Sequence, residues 1–183
     1  MKTSYLFLAN GFEEIEALAT VDVMRRAGIE VKTMSIHPHD NVATGAHGVP
    51  VTADLPLTPE LLDDAEWLIL PGGMPGASNL AACEPLCQAL LSHNARGGKI
   101  AAICASPSVV LAPLGLLDGR DAVCYPGMEN RECTATWGDG MVARDGNIIT
   151  GRGPAAAVHF ALAIVDLTCG DDAAHDVAAG MLL

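Results

Sequence analysis

The chain is short of positive charge. Ten Lys and Arg residues stand against 22 Asp and Glu, which gives a formal net charge of −12 at pH 7 and a sequence pI of about 4.6. Arg25-Arg26 is the only adjacent pair of cations. Because a surface of this charge repels a polyphosphate backbone, the composition argues against a protein that binds nucleic acid as a scaffold.

A secretory signal and a regular cysteine framework are also missing. No signal is recognisable at Met1-Lys2-Thr3, and the six cysteines are irregularly spaced. We therefore expect a cytoplasmic protein with free thiols. The longest charge-free run, residues 100–117, is broken by Ser106, two prolines and Gly115, so we interpret it as strand, turn and helix and expect no membrane association.

What the chain does contain is an alternation of strand and helix patterns, without an internal repeat, linker or low-complexity tract. Periodicity predicts strands at 5–9, 30–35, 67–70 and 99–103, hairpins over 41–54 and 142–150, and helices at 15–25, 85–96, 105–115 and 155–168. Near-continuous apolar strands between helices predict a mostly parallel sheet with helices on both faces, in one domain over residues 1–183.

Cys104 has the most distinctive surroundings of any residue. It closes the apolar run Lys99–Ile103 and precedes Ser106-Pro107, which is typical of a helix start. A cysteine on a strand-to-helix turn is a nucleophile elbow, where backbone N–H groups and the helix dipole favour thiolate over thiol. The alternative is a cysteine that only fills space in the core.

Three loops are chemically distinctive: residues 10–16, 71–75 and 104–107. In open parallel sheets, ligands bind outside the carboxyl ends of the strands, near the point where the strand order reverses. If these loops converge there, a thiol, glycine amides and a carboxylate share one pocket.

Four segments resemble the ThiJ/PfpI superfamily, specifically the branch of the Parkinson-disease-associated protein deglycase and its bacterial relatives. They are Gly11–Glu16 with Val21–Gly28, Leu70–Gly73, Ala101–Ala105, and Arg152–Pro154 leading to Phe160–Val165. The match runs in order over nearly the whole chain.

The resemblance implies a flavodoxin-like sandwich (class I glutamine amidotransferase-like), a homodimer and no cofactor. It implies that Cys104 is the reactive cysteine and that Glu16 approaches its sulfur as a protonated carboxyl. The residues alone do not decide the role of Glu16. An acid in the first turn of a helix is often there only because it interacts favourably with the helix dipole, and Glu13 and Glu14 fit that role better. The remaining implied positions are an oxyanion-type pocket from Gly73 and Ala105 with Gly72 beside it, and pocket positions at Tyr125, His47, Arg26 and Arg152.

The sequence departs from patterns of the superfamily at three positions, which narrows the range of expected activities. Ala105 stands where the protease-like branch has histidine, and Ser106 stands where glutamine amidotransferases have glycine. Tyr125-Pro126 replaces a His-Pro pair that is common in the resembling branch. Because tyrosine has a pKa of about 10, it is a poor general base near neutrality.

The remaining cysteines and histidines predict no metal site. Cys83 and Cys87 have no paired second motif, and His37–Asp40 is typical of a turn. His159 is expected at the edge of the core.

We expect a cysteine-dependent enzyme that acts on reactive carbonyls such as methylglyoxal or glyoxal, or on their protein or nucleotide adducts, in oxidative and carbonyl stress. The alternative is a redox sensor or chaperone that works through oxidation of Cys104. The same residues serve both functions.

Overall fold

The structure is a computed structural model that describes residues 2–37 and 41–183. A seven-stranded sheet forms its centre, in the order β10-β11-β7-β6-β1-β2-β5. All neighbouring pairs in this sheet are parallel except β10 with β11. Its strands are β1 (Ser4–Leu8), β2 (Val31–Ser35), β5 (Leu55–Pro56), β6 (Trp67–Leu70), β7 (Lys99–Ile103), β10 (Val142–Asp145) and β11 (Ile148–Gly151).

Two small two-stranded units lie outside this sheet. One pairs β3 (Val42–Thr44) with β4 (Pro50–Thr52), which confirms the predicted hairpin. The other pairs β8 (Asp121–Ala122) with β9 (Thr136–Trp137) in parallel. Sequence patterning predicts neither β8 nor β9, because a two-residue strand is too short to display a period.

Helices cover both faces of the sheet, as predicted. They are α1 (Glu14–Arg26), α2 (Gly76–Ala81), α3 (Glu84–Ala95), α4 (Ala157–Cys169) and α5 (Asp171–Gly180), with short 3₁₀ segments at Pro59–Asp64 and Pro154–Ala156. No helix in the described parts of the chain is both long and apolar enough to cross a bilayer.

The side chains of β1 alternate between the two faces of the sheet and show why helices must cover both faces. Leu6 and Leu8 belong to the apolar cluster that contains α1 and α4 residues, whereas Tyr5 and Phe7 belong to the cluster that contains α3 residues. Because successive side chains point to opposite faces, a strand with no polar face must be covered on both sides.

The segment after β7 differs from the helix predicted at 105–115. Residues Pro107–Leu111 form one π-helical turn, in which the Ala112 N–H donates to the Pro107 carbonyl at 2.9 Å, and non-helical turns follow. Apolar spacing does not separate this wider turn from a regular helical one. The elbow itself is nevertheless where the sequence places it.

Candidate active site around Cys104 and Glu16

Cys104 lies on a sharp turn at the carboxyl end of β7. Its φ of 65° is in the left-handed region, which non-glycine residues seldom occupy. Two hydrogen bonds hold this backbone: its N–H donates to the Gly151 carbonyl at 2.8 Å, and its carbonyl accepts from the Tyr125 N–H at 2.9 Å. The residue is 8% exposed, so most of the side chain is buried. The predicted sharp turn at Cys104 is confirmed.

The loop after β6 places two glycines against this turn. A Cβ atom on Gly72 would lie 2.6 Å from Cys104 Cβ and 2.8 Å from Glu16 Oε2. Gly73 has a φ of 86°, and a Cβ there would lie 2.5 Å from the Glu13 amide nitrogen. Both positions therefore require glycine, because the backbones of the neighbouring loops approach too closely for a side chain.

Backbone N–H groups of Gly73 and Ala105 face the sulfur. Their hydrogen bonds act to lower the pKa of the Cys104 thiol. Backbone donors beside a nucleophile are the kind of group that stabilises an oxyanion, so the pocket that the resemblance implies for Gly73 and Ala105 has its donors at the sulfur.

Glu16 reaches the same point from the first turn of α1. Its side chain is fully buried, and Oε2 accepts a 2.7 Å hydrogen bond from the Gly72 N–H. Oε1 is buried and accepts no conventional hydrogen bond from the described residues. Burial raises the pKa of Glu16 to about 7, against the lowering effect of the Gly72 amide and the Cys104 thiol. A carboxyl of this kind is neutral in about half of the molecules at pH 7.

The electrostatics correct one expectation from the sequence. Burial and the nearby negative charge of Glu16 raise the pKa of the Cys104 thiol to about 12, although the two amides act to lower it. The expectation that the backbone N–H groups and the helix dipole favour thiolate over thiol at Cys104 is therefore wrong, because burial and Glu16 raise the pKa of the thiol. Cys104 and Glu16 titrate as a pair whose first proton leaves near pH 7, and a thiolate forms only while the carboxyl holds the remaining proton.

The order of the strands explains how these groups meet. β7, β6 and β1 are neighbours in the sheet and run in parallel, so the loops that follow them emerge at one edge. The three loops that carry the thiol, the glycine amides and the carboxylate therefore meet, as the sequence analysis required for a shared site. The Glu13 N–H donates to the Gly72 carbonyl at 2.9 Å, which ties the loop after β1 to the loop after β6.

Tyr125 and Arg152 line a small cavity beside this turn. The cavity has a volume of about 190 Å³, and Pro126, Met141 and Pro154 also line it. Tyr125 is 47% exposed, and the guanidinium of Arg152 donates to the Asp139 carbonyl. The residues that line this cavity do not include Cys104 or Glu16, so the pocket positions that the resemblance implies for Tyr125 and Arg152 stay predictions.

Arg26 does not lie near Cys104 within one chain. It ends α1, ten residues after Glu16, which is about 15 Å along the helix axis. Its guanidinium pairs with Asp22 at 2.9 Å on the exposed side of that helix. The predicted pocket position is therefore wrong for a single chain, because α1 points this residue away from the site.

His47 lies at the rim, in the turn between β3 and β4. Its Nδ1 is 2.9 Å from Glu14 Oε2 and 3.6 Å from Glu13 Oε2. The hydrogen bond to Glu14 and the charge of Glu13 raise the pKa of His47. The sequence analysis assigned Glu13 and Glu14 to the helix dipole and did not predict their contact with His47. The only indication in the sequence was that two acids and a histidine can pair.

The other cysteine and histidine motifs carry no comparable geometry. Cys87 donates from Sγ to the Ala81 carbonyl at 3.3 Å, and burial raises the pKa of the Cys83 and Cys87 thiols. The predicted turn at 37–40 lies outside the described residues except for His37.

This sheet, the elbow cysteine and its buried glutamate define a class, and comparison with known families agrees. A model of the DJ-1/PfpI family matches residues 2–167, and the chain belongs to that family.

Individual relatives are similar over the full length. Drosophila melanogaster protein dj-1beta is 35% identical over 184 residues, which cover 100% of this chain and 97% of that protein. Caenorhabditis elegans glutathione-independent glyoxalase DJR-1.2 is 32% identical over 163 residues, 87% of this chain and 84% of that protein. A solved structure of oxidized Toxoplasma gondii DJ-1 superposes with a TM-score of 0.90 at 35% identity, covering 100% of this chain and 98% of that one.

Some relatives are much longer. The chain spans 40% of Arabidopsis thaliana DJ-1 homolog B and 47% of homolog A, at 34% identity to each. The family is thus established for this chain, whereas activity and substrates need a separate argument.

Proposed function

We propose that the protein is a cysteine-dependent enzyme of the glyoxalase or deglycase type, which acts on methylglyoxal, glyoxal or the adducts these leave on proteins or nucleotides. One observation carries the proposal. The Cys104 sulfur faces two backbone N–H donors and a buried carboxyl, Glu16, whose pKa lies at about 7. Nucleophile, oxyanion donors and a proton carrier thus meet at one point.

The first step is addition of sulfur to the aldehyde carbon of methylglyoxal. The thiolate electron pair forms the S–C bond, and the C=O π electrons move to oxygen. The amides of Gly73 and Ala105 stabilise that oxygen, and the proton held by Glu16 is transferred to it to give a hemithioacetal. The carboxylate left behind is then a base beside the new C–H bond.

Isomerisation and hydrolysis complete the reaction. Glu16 removes the proton from the former aldehyde carbon, and the resulting enediol takes a proton at the neighbouring carbon. The product is a thioester of lactate, which water hydrolyses to lactate and the free thiol. A carboxyl with a pKa near the working pH suits both directions of proton transfer.

The rate advantage comes mainly from the oxyanion donors. A well-aimed donor contributes up to about 3–4 kcal/mol. Because the pKa of the Cys104 thiol is raised, its thiolate fraction is small, and the higher intrinsic nucleophilicity recovers only part of this loss at a Brønsted slope of about 0.4–0.5. The two amides therefore matter more than the ionisation of Cys104.

Relatives add support of a limited kind. The Caenorhabditis elegans relative carries a name that denotes glyoxalase activity without glutathione. A reaction without glutathione takes no thiol from that cofactor, and in our proposal Cys104 supplies the thiol here.

Timed loss of methylglyoxal tests the proposal. Purified protein without added glutathione should consume methylglyoxal and release lactate, and Cys104→Ser should abolish both. Cys169→Ser is the matched control, since Cys169 is an exposed free thiol at the end of α4, and its activity should equal wild type. Undetectable lactate, or equal turnover by Cys104→Ser, contradicts the proposal.

A redox sensor is the second candidate. A buried carboxyl beside the sulfur could donate a hydrogen bond to an oxidised sulfur, and the similar Toxoplasma gondii structure is described as oxidized. Mild peroxide should then add two oxygens to Cys104, and Glu16→Ala should shift the product towards over-oxidation. Oxidation without any Cys104-dependent turnover would favour the sensor over the enzyme.

A further inference from the structure

A second cluster of ligating groups lies at the rim of the site. Glu13, Glu14 and His47 each offer one donor atom, and the three atoms lie within 4.8 Å of one another. The cluster joins the start of α1 to the turn between β3 and β4. It takes no part in the carbonyl chemistry proposed above.

Glu13 carries the first argument that the cluster does more than form an ion pair. Its side chain is 10% exposed, yet neither carboxylate oxygen accepts a hydrogen bond from any residue in the described ranges. Its nearest partner is His47 Nδ1, 3.6 Å from Oε2. A carboxylate that is nine-tenths buried normally has hydrogen-bond donors or a metal around it.

Backbone hydrogen bonds hold the Glu14 carboxylate in place, as they often do for a carboxylate that binds a metal. Its Oε1 accepts from the His47 amide at 2.8 Å and from the Val49 amide at 3.5 Å, so Oε2 is the oxygen that faces the imidazole. Hydrogen bonds of the Ala46 N–H to the Phe12 carbonyl and of the Gly45 N–H to the Val49 carbonyl fix the turn. Such support orients a ligand before the ion arrives.

The distances suit a transition-metal ion. Ligands about 2.0–2.2 Å from a metal lie about 2.8–3.6 Å from each other in octahedral or tetrahedral geometry. His47 Nδ1 is 2.9 Å from one carboxylate oxygen and 3.6 Å from the other. The imidazole side chain is 71% exposed, which leaves the outer coordination positions open to water.

We propose that Glu13, Glu14 and His47 form a binding site for one divalent first-row transition-metal ion. Two carboxylates and one imidazole are ligands typical of zinc, manganese, iron or cobalt, and they contain no thiolate. The chain carries a net charge of −12, which favours association of a dication. The sequence analysis expected no metal, because it sought cysteine and histidine spacings rather than a contact between a helix start and a distant turn.

Titration of the full chain with Co²⁺, followed by absorption spectroscopy, tests the proposal. We expect one equivalent to bind with a ligand-field spectrum and no sulfur-to-cobalt charge-transfer band. His47→Ala and Glu13→Gln should each weaken binding at least tenfold. His175→Ala is the matched control, because that imidazole is 75% exposed and lies 3.4 Å from a single carboxylate, Asp171. It should bind Co²⁺ as wild type does.

Circular dichroism of each variant shows that the fold is retained, and Glu13→Gln changes no volume. Three results would overturn the proposal: no saturable binding, a charge-transfer band from thiolate, or unchanged affinity in His47→Ala. An equal loss in His175→Ala would also overturn it, because binding would then be a property of surface histidines in general.

Discussion

The N–H of Gly72 donates to Oε2 of Glu16 at 2.7 Å, and this contact determines the geometry of the site. It joins the loop after β6 to the first turn of α1 and orients the carboxyl beside Cys104. Because Oε2 is occupied, Oε1 is the oxygen left to exchange a proton with sulfur or substrate. Burial favours the neutral form of Glu16, and the Gly72 donor only partly offsets this, because a hydrogen bond to the carboxylate lowers its pKa.

Gly72→Ala should disable the site. The new Cβ would meet Cys104 Cβ at 2.6 Å and the Ile103 carbonyl at 2.9 Å, so the elbow must shift. We expect a loss of about 1–3 kcal/mol in the free energy of unfolding, from overpacking. A displacement of about 1 Å should lower kcat/KM about 10²-fold. Urea denaturation and the methylglyoxal assay measure the two effects.

The matched control is Gly180→Ala at the end of α5, where an added Cβ meets nothing within 4 Å. Its unfolding free energy and activity should equal wild type. If Gly72→Ala behaves like this control, the close approach of the two loops has no energetic importance.

Stability should fall as pH rises through the titration of Glu16. The pKa is raised from 4.5 to about 7 by folding, so between these values the folded chain binds more protons than the unfolded chain. By linkage, the contribution of Glu16 to stability is fully present below pH 4.5 and is lost as the pH rises to about 7. At 1.36 kcal/mol per pH unit, the loss is about 3 kcal/mol.

Urea denaturation of wild type and Glu16→Gln at pH 4.5, 6 and 8 isolates this effect, because other groups cancel in the difference. The wild-type protein should lose about 3 kcal/mol relative to Glu16→Gln across that range. A difference that stays constant with pH would show that Glu16 remains charged in the fold.

Much of the fold could be predicted from apolar periodicity. β1, β6 and β7 have no polar face and appear as short unbroken apolar runs, whereas α1 shows spacing near 3.6 residues. The sequence analysis did not predict α5: its apolar positions Ala173, Ala174 and Val177 pack against the core at helical spacing, but they are mostly small and only partly buried, so the pattern is weak.

The site was predictable in part. The strand-to-helix turn identifies Cys104, but Glu13, Glu14 and Glu16 look alike in the sequence, and only the fold shows that Glu16 is fully buried. The pKa of Cys104 could not be derived from the helix dipole, because the opposing effects, burial and a neighbouring carboxylate, arise from tertiary structure.

Tyr125→His should raise kcat. Tyr125 is half exposed at the pocket, and its backbone N–H, which any residue but proline retains, is what contacts the Cys104 carbonyl. General acid–base assistance is worth about 10²–10⁴ in rate, so a histidine here should recover part of that range and add a limb near pH 6–7 to the kcat profile. Tyr125→Phe is the control and should leave kcat unchanged. If kcat of Tyr125→His does not exceed that of the wild type, residue 125 takes no part in the mechanism.

The protein should form a symmetric homodimer through α1. Ile15 and Leu18 are 57% and 41% exposed, and with Asp22 and Arg26 they occupy one face of the helix at spacings of three and four residues. Leu18→Asp should give a monomeric mass by light scattering at micromolar concentration. Leu61→Asp is the matched control, since Leu61 is also 41% exposed but lies in the 3₁₀ segment Pro59–Asp64. A wild-type monomer would contradict this prediction.

The rate of Cys104 alkylation against pH, read by peptide mass spectrometry, tests the central claim that Cys104 and Glu16 share one proton. The account predicts that the wild-type rate rises through a limb near pH 7 and exceeds that of Cys133 at pH 8, since the first proton leaves the pair there. In Glu16→Gln the limb near pH 7 should vanish. If Cys104 reacts no faster than Cys133, or if the limb survives in Glu16→Gln, the paired carboxyl and thiol do not form the reactive centre.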